Sequence, residues 1–545
     1  MSDWKPLRPE DVYDAARIAS LRERGHWVDI PLARNLETWA DESPDDLAVI
    51  DDHGGSMTAG ELRDAAWRLA GYLAGRGVQP GERVLVQVAN RAEAMVAVFA
   101  VLRLGAILIP AQPALRHHDL ASLLERTGAV TVVVGAEHRG FDHVEMFRAL
   151  VADAPAVREV IVAGGDAAEF TPWSTALAAD PYDGPYPEPD DPALVIFTSG
   201  TTSTPKGCLH TSNTYMFTVR GTGNALGVTR DDRMFMPSPV MHTTGLVVGV
   251  MIPVAFRIPV VLQGAWDVDV ALDLIATHGC TMTLGATAFA TMFLNAYDPQ
   301  RHDVSRFRLF GLAGAPIPAE TVEAVERTFG SKVVTLYGSS EGLILTATKL
   351  DDPTERIASS DGRPVEGVEL EVTDAEGRPV PTGEEGEIRF RAPGRFICYW
   401  ADDERTRSSI DDQGRLLSGD LARMDEHGYI RITGRVADVI IRGGMNISAV
   451  EVESLLVEHP AVADVAIVSM PDERLGEKCC AYVVPAGEPP TLEDLTSFLD
   501  ERGVAKFKFP ERLEIVDELP RNPTGKVEKF KLRERIREQL GESVA

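Results

Sequence analysis

Residues 198–207 read Thr-Ser-Gly-Thr-Thr-Ser-Thr-Pro-Lys-Gly, a set of residue types that can bind phosphate. Residues 198–203 are all small or carry a hydroxyl, so they can offer backbone N–H groups and hydroxyls at close range, and Lys206 adds a positive charge. The apolar run at 193–197 predicts a buried strand that positions this loop. The alternative of a flexible linker fits less well, because linkers rarely follow a buried strand.

The same stretch nearly matches the P-loop pattern G-x-x-x-x-G-K-[ST], starting at Gly200. It departs at two positions whose groups bind phosphate or Mg²⁺ in a P-loop. Pro205 has no N–H to donate where a P-loop has glycine, and Gly207 lacks the hydroxyl that binds Mg²⁺. A P-loop kinase or NTPase is therefore the weaker interpretation.

Two later segments carry groups that suit a purine base and a metal ion. Residues 313–316 read Ala-Gly-Ala-Pro, and residues 337–341 read Tyr-Gly-Ser-Ser-Glu. Glycines let the backbone approach a flat base, Tyr337 offers a ring for stacking, and Glu341 offers oxygen ligands for a hard cation. Either segment alone would more often be a turn. Together with the loop at 198–207 they favour a nucleotide site.

The last third of the chain adds four further candidates. Asp420, in Ser-Gly-Asp, can accept hydroxyls of a ribose, and Arg435 can contact ribose or phosphate. The glycine pair 443–444 lets a thin ligand pass close to the backbone. Lys526 ends the sequence Pro-Arg-Asn-Pro-Thr-Gly-Lys in a basic segment. The alternatives are two ordinary turns and a surface lysine.

In this order and spacing, the segments resemble the motifs of the adenylate-forming enzymes, which include acyl-CoA synthetases, stand-alone adenylation domains and beetle luciferases. The motifs are most similar in style to those of bacterial acid:CoA ligases, and the resemblance covers residues 30–526. The family's loop usually reads T-S-G-[ST]-T-G-x-P-K-G, whereas this chain has Ser203 at the second glycine of that pattern. It also has Ala437 at the position two after Arg435, where the family's hinge residue is usually Asp or Lys.

The resemblance implies ATP, Mg²⁺ and coenzyme A as cofactors and assigns a role to each candidate. Catalytic roles fall to Lys526, His242 and Glu341, and the metal is expected at Thr201 and Glu341. The implied cofactor-binding residues are Thr198, Ser199, Gly200, Thr201, Thr202, Lys206, Gly314, Ala315, Pro316, Tyr337, Gly338, Ser340, Asp420, Arg435, Gly443 and Gly444.

The implied reaction has two steps. A carboxylate attacks the α-phosphate of MgATP to give an acyl-adenylate and pyrophosphate, and a thiol, expected to be coenzyme A, then displaces AMP. Lys526 would bridge the two anions of the first step. Lys526 and the glycine pair serve different steps from one small domain, so that domain is expected to turn between them.

The acid is expected to be hydrophobic. Residues 242–245, His-Thr-Thr-Gly, match the family's H-x-x-G segment, whose histidine borders the acyl pocket. An aspartate that would pair with an α-amino group is absent from this segment, which disfavours amino acids. The expected walls are small or apolar, namely His242, Val247, Val248, Gly249, Met251, Ala313 and Gly314. His242 as an ordinary core histidine is the alternative.

Composition limits the partners. The chain has 545 residues, so two or more domains are expected, and its formal charge of -29 argues against nucleic acid or an anionic membrane as partner. The partners expected are a small carboxylic acid and coenzyme A, with a carrier protein as a further candidate. Five cysteines without zinc or disulfide spacing, and no apolar leader segment, favour a reduced, cytoplasmic protein.

The fold class predicted is α/β. Strands at 84–88, 106–109 and 130–134 alternate with helices at 92–104 and 118–127, which is typical of βαβ units on a parallel sheet. A second alternating series starts at 193, and residues 155–191 are expected to be the junction.

The domains predicted are 1–435 and 436–545. The first would hold two α/β lobes and a small β-barrel-like unit around 368–390, whose short strands alternate with turn signals. The second would be a small, mobile α+β domain that carries the catalytic lysine and the pantetheine-channel loop.

The leading function is an ATP-dependent acid:CoA ligase. Within the family, the alternatives are an acyl-adenylating enzyme that loads a carrier protein, a variant that mainly performs thioesterification, and a luciferase-like oxygenase. A variant of the second kind would follow if Ser203 and Ala437 weaken adenylation. A P-loop kinase or a non-catalytic nucleotide-binding protein are the alternatives from other classes.

Overall fold

The structure is a computed structural model that describes residues 4–198, 206–314, 317–442, 445–472, 475–502, 504, 506–522 and 525–540. The chain divides into two compact units. The larger unit contains residues 4–198, 206–369 and 391–410, and the smaller unit contains 370–390 and the described residues from 411 onwards.

The larger unit holds two large sheets. Its strands are β1 (Leu47–Asp51), β2 (Ser56–Thr58), β3 (Arg83–Gln87), β4 (Ile107–Pro110), β5 (Thr131–Gly135), β6 (Glu137–His138), β7 (Phe141–Asp142), β8 (Glu159–Ala163), β9 (Thr171–Pro172), β10 (Pro192–Thr198), β11 (Lys206–Thr211), β12 (Met234–Met236), β13 (Val260–Leu262), β14 (Met282–Gly285), β15 (Leu309–Ala313), β16 (Lys332–Ser339), β17 (Leu343–Ala347) and β18 (Arg363–Pro364). One sheet has nine strands in the order β18-β17-β16-β15-β14-β12-β13-β1-β2. The other has seven strands in the order β11-β10-β4-β3-β5-β8-β9, and β6 pairs with β7.

The helices of the larger unit are α1 (Pro9–Val12), α2 (Ala15–Glu23), α3 (Leu32–Glu42), α4 (Ala59–Gly75), α5 (Ala92–Leu104), α6 (His117–Thr127), α7 (His143–Asp153), α8 (Trp173–Leu177), α9 (Ser212–Ala225), α10 (Thr243–Gly245), α11 (Ile252–Phe256), α12 (Val268–His278), α13 (Thr287–Ala296), α14 (Ala319–Phe329), α15 (Thr354–Ser359) and α16 (Asp403–Ser408). A π-helix spans Leu246–Met251, between α10 and α11.

Both large sheets are buried on both faces, as a parallel α/β sheet requires. In the seven-stranded sheet, Val84 and Val86 belong to a core with α4 and α5, whereas Leu85 belongs to a core with α6 and α7. In the nine-stranded sheet, Val260 joins the first of these cores and Val261 joins a third core with α12, α13 and α14. This explains why the strands read as continuous apolar runs rather than as alternating ones.

The smaller unit contains two sheets and three helices. Its strands are β19 (Glu369–Thr373), β20 (Glu385–Arg391), β21 (Leu416–Met424), β22 (Ile430–Arg435), β23 (Val439–Arg442), β24 (Met445–Ser448), β25 (Val462–Asp472), β26 (Gly476–Pro485) and β27 (Arg512–Ile515). The helices are α17 (Ala449–Leu456), α18 (Leu492–Glu501) and α19 (Lys529–Gln539), and short 3-10 turns lie at Val436–Asp438 and Lys506–Lys508.

In the smaller unit, β19-β20-β21-β22 form a sheet in that order, in which β20, β21 and β22 are antiparallel neighbours. A second sheet has the order β24-β23-β26-β25, with β27 paired to β26. Helices α17 and α18 share a core on one face of the second sheet, and α19 shares a core on the other. The expected small β unit around 368–390 is therefore half of the four-stranded sheet, which groups with the C-terminal residues.

The predicted α/β class with a large N-terminal and a small C-terminal part is confirmed. Helix α5 begins and ends at the residues predicted, because its apolar run stops at Gly105, which takes the left-handed conformation (φ 76°) typical of a helix C-terminus. The domain boundary at 435/436 stays a prediction.

Two expectations about the lobes were wrong. Strand β10 was expected to begin the second lobe, yet it pairs with β4 and belongs to the first sheet. The expected junction at 155–191 contains β8, because the buried run 160–162 pairs with β5 and extends the same sheet.

Among the described residues, all five cysteines are free and buried. None of the helices in the described ranges has both the length and the apolar character needed to cross a lipid bilayer.

Candidate functional site

The two strands that flank the predicted phosphate loop form an antiparallel pair. Thr198 at the end of β10 lies opposite Lys206 at the start of β11. A P-loop leads from a strand into a helix N-terminus, so the return as a strand agrees with the exclusion of that class. Residues 199–205 lie outside the described residues, and with them Ser199, Gly200, Thr201, Thr202 and Ser203.

The segment 396–400 lies along the outer side of β11. Ile397 donates its N–H to the carbonyl of Leu209 (2.8 Å), and Leu209 donates its own to the carbonyl of Cys398 (3.0 Å). Trp400 donates to the carbonyl of Gly207 (2.7 Å). These hydrogen bonds place Tyr399 directly opposite Cys208, next to the lysine of the loop.

Tyr399 joins the two charged residues that the sequence predicted for the phosphate end of the site. The Lys206 ammonium nitrogen lies 5.4 Å from the centre of the Tyr399 ring, within cation–π range. The Tyr399 hydroxyl donates to Oε1 of Glu341 at 2.9 Å. Burial and then the Glu341 charge raise the pKa of Tyr399, so the phenol keeps its proton. Lys206 and Glu341 are thus brought together through a residue that sequence reasoning missed.

The turn that carries Glu341 is closely packed. It follows β16, which pairs with β17 through a register shift at residues 337–338. A Cβ on Gly338 would lie only 1.9 Å from the carbonyl oxygen of Leu343, a residue that itself has a positive φ of 55°. Gly338 is therefore required by a backbone contact.

The two predicted base-binding segments meet at one edge of the nine-stranded sheet. Strands β15 and β16 are parallel neighbours with Ala313 opposite Leu336, so Gly314 and Tyr337 follow at the same carboxyl edge. Ligands of α/β sheets bind at this edge. Tyr337 is half-buried, whereas Gly314 is exposed with φ of 80°. Ala315 and Pro316 lie outside the described residues.

His210, on β11, also supports this turn and was missed by sequence reasoning. It is fully buried, and its Nε2 donates to the carbonyl of Ser340 at 2.8 Å, while Nδ1 lies 3.3 Å from Oγ1 of Thr214. Burial lowers the pKa of His210 to about 4. A neutral imidazole is thus part of the scaffold of the turn.

The H-x-x-G segment reaches the same turn. Its histidine, His242, is half-buried and precedes α10, and Oγ1 of the next residue, Thr243, lies 3.4 Å from Oγ of Ser340. A π-helix follows, a distortion that is frequent at functional sites. A Cβ on Gly249 in that helix would meet Cγ of Met236 at 2.5 Å. Of the other expected wall residues, Val247, Val248 and Met251 are buried and Ala313 is half-buried.

Three predicted residues gather within the smaller unit. Asp420 on β21 lies opposite Arg435 at the end of β22, and the Arg435 Nε is 2.9 Å from Oδ1 of Asp420, which is only 5% exposed. Lys526 keeps exposed surface, yet removal of its ammonium group from water lowers its pKa. The Arg435 charge lowers the pKa of Lys526 further and the Asp420 charge opposes this, which shows that the three groups interact.

The remaining candidates of the smaller unit lie in its connections. Gly443 and Gly444 are outside the described residues, and the antiparallel strands β23 and β24 flank them. Ala437 lies in the 3-10 turn Val436–Asp438 that follows β22.

The donor set of the larger unit suits a magnesium ion that arrives with a nucleotide. In the described part of the chain, no three His, Cys, Asp or Glu side chains cluster as a metal cage would. Mg²⁺ bound with substrate phosphates needs only one or two protein carboxylates and keeps several waters. Glu341 can supply one such carboxylate oxygen, whereas Thr201 lies outside the described residues.

The sequence pattern of the AMP-binding enzyme family matches residues 36–400, and that of the AMP-binding enzyme C-terminal domain matches residues 451–526. The chain belongs to the AMP-binding enzyme family. The predicted resemblance is therefore confirmed, and the protein is an adenylate-forming ligase that acts on a carboxylic acid.

Three similar proteins share nearly the whole chain. A medium-chain fatty-acid–CoA ligase of Escherichia coli is 35% identical and covers 98% of this chain and 95% of its own. A salicyl-AMP ligase/salicyl-S-ArCP synthetase of Mycobacterium tuberculosis is 35% identical, with coverages of 95% and 93%. ATP-bound MatB from Rhodopseudomonas palustris is 30% identical, with a TM-score of 0.83 and coverages of 92% and 98%.

The close packing of Gly338 gives a first prediction for this AMP-binding enzyme. In Gly338→Ala the turn must shift, because the added Cβ would collide with backbone, and kcat/KM for ATP in ATP–pyrophosphate exchange should fall about 100-fold. Gly75→Ala is the matched control, since a Cβ there meets no atom within 4 Å. Equal exchange rates in the two variants would contradict the packing argument.

His210 gives a second prediction, on acid stability. Between its unfolded pKa of 6.5 and its folded pKa of about 4, only the unfolded state binds a proton there, so falling pH favours unfolding. From about pH 7 to pH 4.5, wild type should lose about 2–3 kcal/mol more of its free energy of unfolding than His210→Gln. Urea unfolding at both pH values measures this, with the exposed His427→Gln as control. The same pH slope in wild type and His210→Gln would refute it.

Proposed function

We propose that the protein is an ATP-dependent acid:CoA ligase that activates a hydrophobic carboxylic acid as its acyl-adenylate and transfers the acyl group to coenzyme A. The observation that carries the proposal is the convergence of Lys206 and Glu341 on Tyr399 in the larger unit. Two residues from distant segments, both predicted to act on a polyphosphate, share one neighbour. The full-length similarity to a fatty-acid–CoA ligase supports the acceptor.

In the first step, a carboxylate oxygen of the acid bonds to the α-phosphorus of ATP, and the bond between the α- and β-phosphates breaks to release pyrophosphate. Both reactants are anions, so the barrier falls only if positive groups stand close to them. Lys206 and the backbone donors of 198–203 bind the β- and γ-phosphates. Lys526 binds the carboxylate and the α-phosphate, and Asp420 accepts the ribose hydroxyls.

Magnesium enters with ATP as part of the substrate. When bound, it neutralises phosphate charge and acts as a Lewis acid, and Glu341 supplies a carboxylate for it. Tyr337 and Gly314 flank the base at the carboxyl edge of the nine-stranded sheet.

In the second step, the thiol of coenzyme A bonds to the acyl carbon, its proton passes to solvent, and the acyl–oxygen bond of the mixed anhydride breaks to release AMP. Gly443 and Gly444 line the path of the pantetheine arm. Lys526 and this glycine pair both belong to the predicted C-terminal domain 436–545 but serve different steps, so that domain turns about Ala437 between them.

The substrate is expected to be an apolar acid. The segment around the π-helix is lined by Val247, Val248 and Met251, and His242 borders it on the side of the turn. Asp, Glu, Lys and Arg do not occur between residues 234 and 256. An acid with a second charged group, besides the reacting carboxylate, would therefore find no counterion in that stretch.

A carrier protein is the second candidate for the acceptor, because the salicyl-S-ArCP synthetase is as similar as the CoA ligase. We expect a panel of aliphatic and aromatic acids to give AMP release with coenzyme A. The same acids should give at most slow release with a phosphopantetheinylated carrier protein. Faster AMP release with the carrier protein than with coenzyme A would instead identify the carrier protein as the acceptor.

The panel also tests the departures at Ser203 and Ala437. Robust ATP–pyrophosphate exchange is expected, because serine at 203 keeps the backbone N–H donor that a glycine would supply and Lys526 is retained. Thioester formation from a supplied acyl-adenylate without any exchange would instead show an enzyme confined to the second half-reaction. No exchange and no thioester with any acid would overturn the proposed function.

Lys526→Ala should separate the half-reactions. Loss of the positive charge should reduce ATP–pyrophosphate exchange by about 10²- to 10³-fold, whereas thioester formation from a supplied acyl-adenylate should stay within about threefold of wild type. Lys531→Ala is the matched control, because Lys531 is an exposed lysine paired with Glu528 in the same unit. Equal losses in both half-reactions would place Lys526 in a structural role.

A further inference from the structure

Tyr399 is held rigidly beside the charged residues of the phosphate end. It is only 4% exposed, and its N–H donates to Oγ1 of Thr406 at 2.9 Å. The neighbouring Trp400 is bonded to Gly207 on β11. On the other side, the N–H of Phe396 donates to the carbonyl of Glu341 at 2.7 Å. The segment 396–400 is therefore bonded both to the loop strand and to the turn that carries Glu341.

The side chain of Tyr399 uses both of its chemical parts. Its hydroxyl donates to Oε1 of Glu341 at 2.9 Å, and its ring lies 5.4 Å from the ammonium of Lys206. A carboxylate has two oxygens, so a hydrogen bond that fixes one of them restricts where the other can be offered as a ligand. A ring face likewise restricts where a flexible lysine places its charge.

We propose that Tyr399 is a positioning residue for the magnesium–polyphosphate end of the adenylation step. Its hydroxyl orients the Glu341 carboxylate toward the magnesium that enters with ATP, and its ring holds the Lys206 ammonium over the phosphates. The proposal rests on the proposed function, because it assigns Glu341 and Lys206 to the same substrate. Tyr399 itself touches neither the acid nor the reacting phosphorus.

Loss of the hydroxyl and loss of the ring are expected to weaken nucleotide binding in different ways. Tyr399→Phe removes the hydroxyl and keeps the ring, so it should weaken only what depends on the metal. Tyr399→Leu removes both, so it should also weaken binding of the phosphates to Lys206. A purely structural role would not separate these effects, because both substitutions would then act on nucleotide binding with and without metal alike.

Calorimetric binding of a non-hydrolysable ATP analogue, with Mg²⁺ and with EDTA, tests this without turnover. Tyr399→Phe should raise the Kd with Mg²⁺ about tenfold and leave the Kd with EDTA unchanged. In Tyr399→Leu both values should rise. In ATP–pyrophosphate exchange, Tyr399→Phe should need more Mg²⁺ for half-maximal rate, while the KM of the acid stays as in wild type.

Tyr13→Phe is the matched control. The Tyr13 hydroxyl accepts from Nε of Arg395 at 3.0 Å, so this substitution removes a phenolic hydroxyl beside the same segment without touching Glu341. It should bind the analogue as wild type does in both conditions.

A double-mutant cycle with Glu341→Gln gives a second readout. If the hydroxyl acts through that carboxylate, Tyr399→Phe should cause no further loss of Mg²⁺-dependent binding in the Glu341→Gln background.

Thr406→Val is a second variant for use if Tyr399→Phe folds poorly. It removes the hydroxyl that accepts the hydrogen bond from the Tyr399 N–H and leaves the phenol in place. It should change the same Mg²⁺ dependence in the same direction, to a smaller extent.

Unchanged Mg²⁺-dependent binding in Tyr399→Phe would overturn the proposal, and so would an equal loss with Mg²⁺ and with EDTA. Additive losses in the cycle would do the same. Failure of the proposed function is distinguishable, since it would show as wild-type protein that binds the analogue yet gives no exchange with any acid.

Discussion

Binding of a polyphosphate by a chain with a formal charge of -29 requires positive groups concentrated at one place. The structure meets this requirement by backbone pairing rather than by a basic surface. Strands β10 and β11 bring the two ends of the loop together, and the segment 396–400 pairs with β11 on its other side. Lys206 thereby stands at a fixed point next to Tyr399, and the turn that bears Glu341 is bonded to the same segment.

The elements were predicted well where the physical signal is local. Helix α5 is a mainly apolar run that ends at a glycine, and β3 and β5 are short runs rich in valine, so their positions follow from neighbouring residues alone. The motifs at 206, 341, 420, 435 and 526 could be recognised in the sequence because phosphate, metal and ribose chemistry restrict the residue types, and the roles of these residues stay predictions. The structure groups the first two in one unit and the last three in the other.

The remainder depended on contacts between distant residues. His210 meets Ser340 at a separation of 130 residues, and Tyr399 meets Glu341 at a separation of 58. A histidine inside a strand and a tyrosine in an apolar loop give no local sign of such partners. The placement of β10 in the first sheet depended on its pairing with β4, and the grouping of 370–390 with the C-terminal residues depended on strand β21. In each case the deciding hydrogen bonds join parts of the chain that periodicity cannot relate.

The predicted site residues of the two units differ in their net charge. In the larger unit, the charges of Lys206 and Glu341 cancel each other, so a bound metal ion would add the net positive charge that strengthens binding of a triphosphate. In the smaller unit, Arg435 and Lys526 outnumber Asp420, and burial of the ammonium group and then the Arg435 charge lower the pKa of Lys526. The proposed mechanism therefore assigns to these groups an anion without a metal, namely the carboxylate and the α-phosphate. In the proposed mechanism, the groups assigned to the metal-bound phosphates and those assigned to the acyl-adenylate therefore belong to different units, so release of pyrophosphate with its magnesium removes no charge from the second set.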